Sequence, residues 1–166
     1  MHPRVTIRPA LSADLEAITG IYNDAVLTTT ATFDTEPRGL REQIAWFGSH
    51  GGRFAILVAE DAGVVVGWAS LSRWSDRAAY DGTGETSVYV HAQRRRDGIG
   101  RALMVALIES AKQADFHTLI ARIAGESTGS LRLHEGLGFE NIGTMKEVGR
   151  KFGRLLDVHM LQKMLR

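Results

Sequence analysis

The sequence predicts an α/β fold, and three features of the chain support that prediction. Short segments with the alternation or apolar content of strands recur along the chain, and segments with helical apolar spacing separate them. Near the middle, a strand, a glycine turn and an amphipathic helix follow one another, as in a strand–helix–strand unit. The length of 166 residues suits one compact domain, so we interpret residues 1–166 as a single domain.

The first third of the chain predicts one strand and two helices. Residues 5–8 alternate between polar and apolar, as in a half-buried strand. Ser12 is predicted to cap the first helix, with Asp14 in its first turn, where the helix dipole favours a negative charge. The apolar positions of that helix are Leu15, Ile18, Ile21, Tyr22 and Val26. A polar loop runs to Pro37, and a second short helix holds Ile44, Trp46 and Phe47.

The rest of the chain predicts six more strands and two more helices. Residues 54–59 and 64–71 form a predicted hairpin around the turn at 61–63, and a polar loop over 73–84 leads to a strand over 85–90. The later elements are a helix over 98–114, a strand over 118–121, a helix over 130–137 closed by Gly138, and strands over 139–148 and 155–161. The predicted order is β-α-α-β-β-β-α-β-α-β-β.

The composition excludes several classes of function. A net charge of +1 gives no general attraction to nucleic acid or to an anionic membrane. The chain has no cysteine, so disulfides, thiolate nucleophiles and cysteine-based metal sites are excluded. The six histidines show no metal-ligand spacing. We therefore expect no metal, no nucleic-acid partner and no membrane partner.

The location is expected to be cytoplasmic. Residues 1–6 lack the apolar core of a signal peptide. No apolar run approaches the ~18 residues that indicate a transmembrane helix. The absence of cysteine is compatible with a reducing compartment.

The most informative motif is the glycine turn at residues 95–101, between an apolar strand and an amphipathic helix. Gly98 and Gly100 let the backbone turn tightly and approach a ligand. The free N–H groups of the following helix favour an anion such as a pyrophosphate, and nearby arginines add positive charge. A Gly-x-Gly can also be a simple turn. A Rossmann fingerprint needs a third small residue where Leu103 stands, and a Walker A Gly-Lys-Ser/Thr is absent.

Arg95-x-x-Gly98-x-Gly100 resembles the acetyl-CoA pyrophosphate loop of GNAT acetyltransferases. Further segments, in the same order along nearly the whole chain, resemble the branch that contains the phosphinothricin and methionine sulfoximine acetyltransferases. They are Tyr22-Asn23, Thr32-Phe33-Asp34, Val66-Gly67-Trp68-Ala69, Arg77-Ala78-Ala79-Tyr80, Glu85-Thr86-Ser87-Val88-Tyr89-Val90, Leu133-His134-Glu135-Gly136-Leu137-Gly138-Phe139, Lys151-Phe152-Gly153-Arg154 and Asp157-Val158.

The resemblance implies a fold, a reaction and a partner. The fold is a mixed, mostly antiparallel central sheet with helices on both faces and a splayed central pair of parallel strands. The reaction is acetyl-CoA-dependent N-acetylation of a small amino-acid-like amine of the phosphinothricin, methionine sulfoximine or methionine sulfone type. With no cysteine to carry the acetyl group, direct attack by the amine on the thioester is the simplest route. The resemblance also implies a homodimer.

The resemblance assigns roles to individual residues. Glu85 is the expected general base. His134 stands where this branch has a histidine and many other family members have a tyrosine that protonates the leaving thiolate, so a general acid/base role is expected. The residues expected to bind acetyl-CoA are Val88, Tyr89, Val90, Arg95, Arg96, Asp97, Gly98, Ile99, Gly100, Arg101, Ser127 and Ser130. The residues expected to bind the acceptor are Phe33, Trp74, Arg77, Tyr80 and Lys151.

Three positions depart from the family pattern, and several alternatives stay open. Arg96 replaces a common glycine and is expected to point outward, Ser127 replaces an asparagine that holds CoA, and Leu155 replaces a frequent tryptophan. From the residues alone, Glu85 could be an ordinary solvated carboxylate and His134 a half-buried structural histidine. The alternative functions are acetylation of a protein or peptide N-terminus or of a polyamine, and non-catalytic acyl-CoA binding by a regulator. Arg77 and Lys151 favour an anionic acceptor over a polyamine.

Overall fold

The computed structural model describes residues 4–166, and within them seven strands form one sheet flanked by four α-helices. The predicted order of elements is confirmed. The elements are β1 (Thr6–Pro9), α1 (Leu15–Thr28), α2 (Leu40–Gly48), β2 (Ile56–Asp61), β3 (Val64–Arg73), β4 (Thr83–Val90), α3 (Ile99–Gln113), β5 (Thr118–Ala124), α4 (Thr128–Gly136), β6 (Glu140–Lys151) and β7 (Arg154–Met164). Residues 1–3 lie outside this range. They include part of the segment used for the signal-peptide expectation, and His2, which was considered in the metal expectation.

The predicted cap at Ser12 is wrong. A single turn of 3-10 helix, Ser12–Asp14, precedes α1, and neither N-cap side chain, Leu11 or Asp14, forms a capping hydrogen bond within its own helix. The Asp14 carboxylate instead accepts hydrogen bonds from the Leu11 N–H (2.7 Å) and from the Arg8 guanidinium (2.7 and 2.9 Å). A carboxylate already held by an arginine therefore fixes this turn.

The sheet is mostly antiparallel, with the strand order β1-β2-β3-β4-β5-β7-β6. Its one parallel pair within residues 4–166 is β4 with β5, connected through α3. The paired stretch is short, since Thr83–Glu85 faces Thr118–Ile120 and the pairing then stops. The strands continue to Val90 and Ala124, so the centre of the sheet opens into a V. This confirms the predicted fold class.

Helices cover both faces of the sheet. Helix α3 buries Leu103 and Leu107 on one face, and α1 buries Ile18 against Val58 and Trp68 on the other. At Gly67 on β3, an added Cβ would lie 3.1–3.2 Å from side-chain carbons at the start of α3 and from a backbone oxygen of β4. This close approach sets the first turn of α3 beside the end of β4.

No helix over 4–166 is long and apolar enough to cross a membrane.

Candidate active site

The opening between β4 and β5 exposes backbone groups that a sheet normally pairs. The N–H of His91 donates to Val66 O on β3 (2.9 Å). Alternate residues of a strand direct their backbone groups to opposite neighbours, so those of Val88 and Val90 face the opening. The backbone groups of Tyr89 face β3, so only its side chain can contact a ligand in the opening. The open edge offers hydrogen-bonding groups to an extended, amide-containing ligand.

The glycine turn forms an anion cradle beside this opening. Gly98 has φ +78°, a left-handed conformation that glycine adopts without strain, and it occupies the N-cap of α3. The first bond of the helix runs from Ala102 N–H to Gly98 O (3.1 Å). The preceding N–H groups of Ile99, Gly100 and Arg101 therefore have no partner inside the helix. They border a cleft of about 420 Å³.

The charge around the cradle is positive. Arg95, Arg96 and Arg101 line the cleft, and over residues 4–166 none of the three forms an ion pair. Arg94 binds Asp61 and Asp97, each at 2.9 Å. The carboxylate of Asp97, predicted to touch the cofactor, thus holds Arg94. Such a site suits a multiply charged phosphate ligand.

Arg96 has φ +68°, so it adopts a conformation that favours glycine. We expect Arg96→Gly to raise the free energy of unfolding by about 0.5–1 kcal/mol, because a left-handed non-glycine residue is strained. Chemical denaturation measures the change. Arg95→Gly is the matched control, because Arg95 has φ −69° and gains nothing from glycine. Equal destabilisation by both substitutions would contradict the strain.

The cleft continues into the molecule. Val88, Val90 and Ser130 line both the cleft and a neighbouring cavity of about 520 Å³, which Ser127 also borders. Ser127 and Ser130 then line a smaller cavity of about 120 Å³ in the V between the strands, together with His134. The two serines and the histidine therefore lie along one path that starts at the cradle.

His134 lies at the inner end of this path and is 3% exposed. Its Nδ1 lies 2.7 Å from the Ser130 carbonyl oxygen, and its ring meets Phe139 edge-on with centroids 5.1 Å apart. A carbonyl only accepts, so Nδ1 carries the proton and the lone pair of the neutral ring is on Nε2. Burial lowers the pKa of His134 below its usual 6.5, which favours this neutral form.

This lowered pKa makes the stability depend on pH. The unfolded chain binds a proton at His134 near pH 6.5, whereas the folded protein binds it only at lower pH, so the free energy of unfolding falls as the pH drops below 6.5. We expect His134→Gln to remove this part of the pH dependence, measured by denaturation at a series of pH values. An identical pH dependence in the variant would contradict the assignment.

Glu85 lines a further cavity of about 470 Å³, which continues from the His134 cavity through Thr86, Ser87 and Tyr89. Its Oε1 accepts a hydrogen bond from Arg122 Nη2 (2.7 Å). The Glu85 side chain is 20% exposed and that of Arg122 is 54% exposed. A carboxylate and a cation thus stand together on the side of the V opposite the cradle.

One wall of the Glu85 cavity is a network of hydrogen bonds around Tyr22. The Tyr22 hydroxyl donates to the Asp34 carboxylate and pairs with Thr32 Oγ1 (2.9 Å). Arg38 Nε binds Asp34 (3.1 Å), and its guanidinium lies 4.5 Å from the centre of the Tyr22 ring. Burial, followed by the bond to Asp34, raises the pKa of Tyr22 to about 12. The network fixes this wall with Tyr22 in its neutral form.

The predicted acceptor residues are only partly brought together. Phe33 lines the Glu85 cavity and packs on Gly149, where an added Cβ would overlap the ring. Trp74 lies 5.7 Å from the Arg122 guanidinium. Arg77 and Tyr80 are exposed on the β3–β4 connection, away from the lining of this cavity. The buried ammonium of Lys151 donates to Thr32 O (2.8 Å), and burial lowers its pKa. Lys151 therefore anchors the Thr32 loop.

Two cations of the Glu85 cavity, Arg38 and Arg122, were missed in the sequence. Arg38 lies in a polar loop with no distinguishing pattern. Arg122 had a signal, because it is the one charged residue of β5 and the one exposed position in an otherwise buried strand. Such a residue in a central strand indicates an opening in the sheet.

No group of three or more potential metal ligands occurs over residues 4–166.

Residues 7–160 match the family model described as an acetyltransferase (GNAT) domain. The chain belongs to the GNAT acetyltransferase family. A similar protein is the L-methionine sulfoximine/L-methionine sulfone acetyltransferase of Pseudomonas aeruginosa, 44% identical over 95% of this chain and 92% of that protein. The short parallel pair β4–β5 and the V beyond it agree with the splayed strands expected for this family.

Two solved structures of GNAT proteins are close to this fold. A phosphinothricin acetyltransferase from Sinorhizobium meliloti in complex with AcCoA has a TM-score of 0.95 and 38% identity, over 99% of this chain and 89% of that one. A ribosomal-protein-alanine N-acetyltransferase from Brucella melitensis has a TM-score of 0.92 and 42% identity, over 96% of this chain and 99% of that one. Their names point to two kinds of acceptor.

Proposed function

We propose that this GNAT protein uses acetyl-CoA to acetylate the amino group of a small amino-acid-like acceptor of the methionine sulfoximine, methionine sulfone or phosphinothricin type. The observation that carries the proposal is the continuous path of cavities from the arginine-lined cradle, past His134, to the Glu85–Arg122 pair. A nucleotide anion and an amino acid can enter from opposite ends and meet in the V. The names of the relatives support this class of acceptor.

The residues of the path fit acetyl-CoA. The first-turn N–H groups of α3, with Arg95, Arg96 and Arg101, would hold the pyrophosphate. The backbone groups of Val88 and Val90 would pair with the pantetheine amides. The hydroxyls of Ser127 and Ser130 border the same path and can donate further hydrogen bonds. Bound in this way, acetyl-CoA supplies an activated acetyl group as a thioester.

Glu85 would remove a proton from the ammonium group of the acceptor, directly or through a water molecule. The free amine then forms the C–N bond while the C–S bond breaks. An N–H group on the open edge of β4 can polarise the carbonyl oxygen of the thioester. The nitrogen loses one proton to Glu85, which returns it to solvent, and a second proton as the amide forms.

His134 would transfer this second proton to the departing sulfur. Its neutral ring presents an unprotonated Nε2, so it first accepts a proton and then donates it to the thiolate. Its burial favours this cycle, because a permanently charged imidazolium would be costly there. Retention of kcat in His134→Gln, at full acetyl-CoA affinity, would exclude this role.

We also propose that the chain acts as a cytoplasmic homodimer of one-domain subunits, without nucleic-acid or membrane partners. The exposed apolar side chains of the β6–β7 hairpin support a second copy as the partner, because monomers rarely leave such a cluster uncovered. They are Ile142, Met145, Val148, Phe152 and Leu155. Sedimentation equilibrium should give twice the chain mass, and Val148→Lys should shift it toward the monomer.

The acceptor is tested by release of the CoA thiol from acetyl-CoA against a panel of amines. The panel holds methionine sulfoximine, methionine sulfone, phosphinothricin, common amino acids, a polyamine and a short peptide. We expect turnover with the first three. Turnover only with the polyamine would overturn the acceptor class.

A peptide N-terminus is the second candidate acceptor, because the Brucella melitensis protein, at 42% identity, is named a ribosomal-protein-alanine N-acetyltransferase. The panel should therefore include a peptide that begins with alanine. Turnover of this peptide, and of no free amino acid, would favour the second candidate. No turnover of any amine despite tight acetyl-CoA binding would favour a CoA-binding regulator.

A further inference from the structure

We propose that Arg122 is a specificity residue that binds the carboxylate of the acceptor. When Arg122 exchanges Glu85 for this carboxylate, Glu85 becomes available for proton transfer. This inference rests on the proposed function, since it names the part of the acceptor that the site selects. In the structure Arg122 pairs with the expected base. While Arg122 makes this bond, Glu85 Oε1 is occupied by the guanidinium.

The position of Arg122 suits a residue that can change partners. It is the one exposed residue of β5, and the other six residues of that strand are buried. Its side chain lies at the cavity of Glu85 and also borders that of His134. Among the hydrogen bonds over residues 4–166, its guanidinium makes one, through Nη2 to Glu85. Its remaining donors are available to the forked geometry of a carboxylate.

The other cations near the Glu85 cavity are already committed. Arg38 binds Asp34 and lies over the Tyr22 ring. Lys151 is 4% exposed and donates to the Thr32 carbonyl. An incoming amino acid brings a carboxylate within a few ångströms of its amino group. If that carboxylate binds Arg122, the amino group lies beside Glu85, so one movement positions the nucleophile and frees the base.

An ion pair with these exposures contributes little to stability by itself. A role of Arg122 in acceptor binding can therefore be distinguished from a structural role by comparing acceptors. A structural arginine would affect all acceptors alike when replaced. Replacement of an arginine that binds the carboxylate would lower the turnover of acids and leave that of the corresponding carboxamides unchanged.

The test compares methionine sulfone with its carboxamide in the parent protein and in Arg122→Gln. We expect kcat/KM for the acid to fall on the order of 10- to 100-fold, the range of a lost charged hydrogen bond. The carboxamide should be turned over as well as before, because it offers Arg122 no carboxylate to bind. Arg122→Lys should recover part of the activity on the acid, since it keeps the charge but not the fork.

Arg73→Gln is the matched control, because Arg73 forms an exposed ion pair of similar length with Asp81 (2.9 Å) outside these cavities. It should leave the ratio of acid to amide unchanged. Equal losses on acid and amide in Arg122→Gln would overturn the proposal. If the parent turns over neither compound, the proposed function fails, and calorimetric binding still decides: acid binding lost in Arg122→Gln supports the proposal, and unchanged acid binding overturns it.

Discussion

Replacement of Glu85 by Gln is expected to lower kcat by about 10²- to 10⁴-fold, the usual contribution of a positioned general base. The amide keeps the size of the side chain and its place beside Arg122 but cannot accept the proton of the ammonium group. Affinity for acetyl-CoA should not change, because Glu85 lines a different cavity from the cradle. Steady-state kinetics and acetyl-CoA titration measure the two effects separately.

Glu60→Gln is the control for this substitution. Glu60 is also a partly buried glutamate paired with an arginine, at 2.7 Å from Arg8, but it lies on β2, away from the cavities that form the path. It should retain the kcat of the parent. If Glu85→Gln also retains it, another group or bulk water accepts the proton and Glu85 is not the base.

The second large effect is expected at Gly98. Valine is strained at φ +78°, at a cost of about 1–3 kcal/mol, and the turn must move to relieve it. The N–H groups of the α3 first turn would then no longer converge on one point. We expect Gly98→Val to raise KM for acetyl-CoA on the order of 10- to 100-fold, with a much smaller change in KM for the acceptor, measured by varying each substrate in turn.

Gly63→Val separates loss of the anion site from loss of stability. Gly63 has φ +82° in the β2–β3 turn, and an added Cβ meets nothing within 4 Å at either glycine. The two variants should therefore lose similar stability in thermal denaturation, while KM for acetyl-CoA rises in Gly98→Val alone. Equal KM values in the two variants would show that the cradle does not hold the cofactor.

The fold was predictable because its signals are local. Apolar spacing gave the helices and strands, and the Gly98–Gly100 turn placed a helix N-terminus beside β4. The start of α1 was not predictable in the same way. There, Asp14 is held by Arg8 from the preceding strand, and Arg8 in turn binds Glu60 from β2. The Asp14 carboxylate, held by an arginine that also binds β2, replaced the expected serine cap.

The sequence located the residues of the cradle better than those of the Glu85 cavity. The cradle is one continuous segment, so a motif describes it. The Glu85 cavity combines loops and strands far apart in the chain, and it brings together Arg38 from a loop and Arg122 from β5. Arg96 shows a second limit. The sequence marks it as an unusual residue, but only the backbone shows that it has φ +68°.

The most direct test of the proposed activity is to incubate the protein with acetyl-CoA and an equimolar mixture of methionine sulfone and an alanine-initiated peptide, and to identify the products by mass spectrometry. We predict that methionine sulfone is acetylated on its amino group in preference to the peptide, with one CoA thiol released for each acetyl group transferred. Acetylation of the peptide alone, or thiol release without an acetylated amine, would contradict the assignment of an amino-acid acceptor at the Glu85–Arg122 pair.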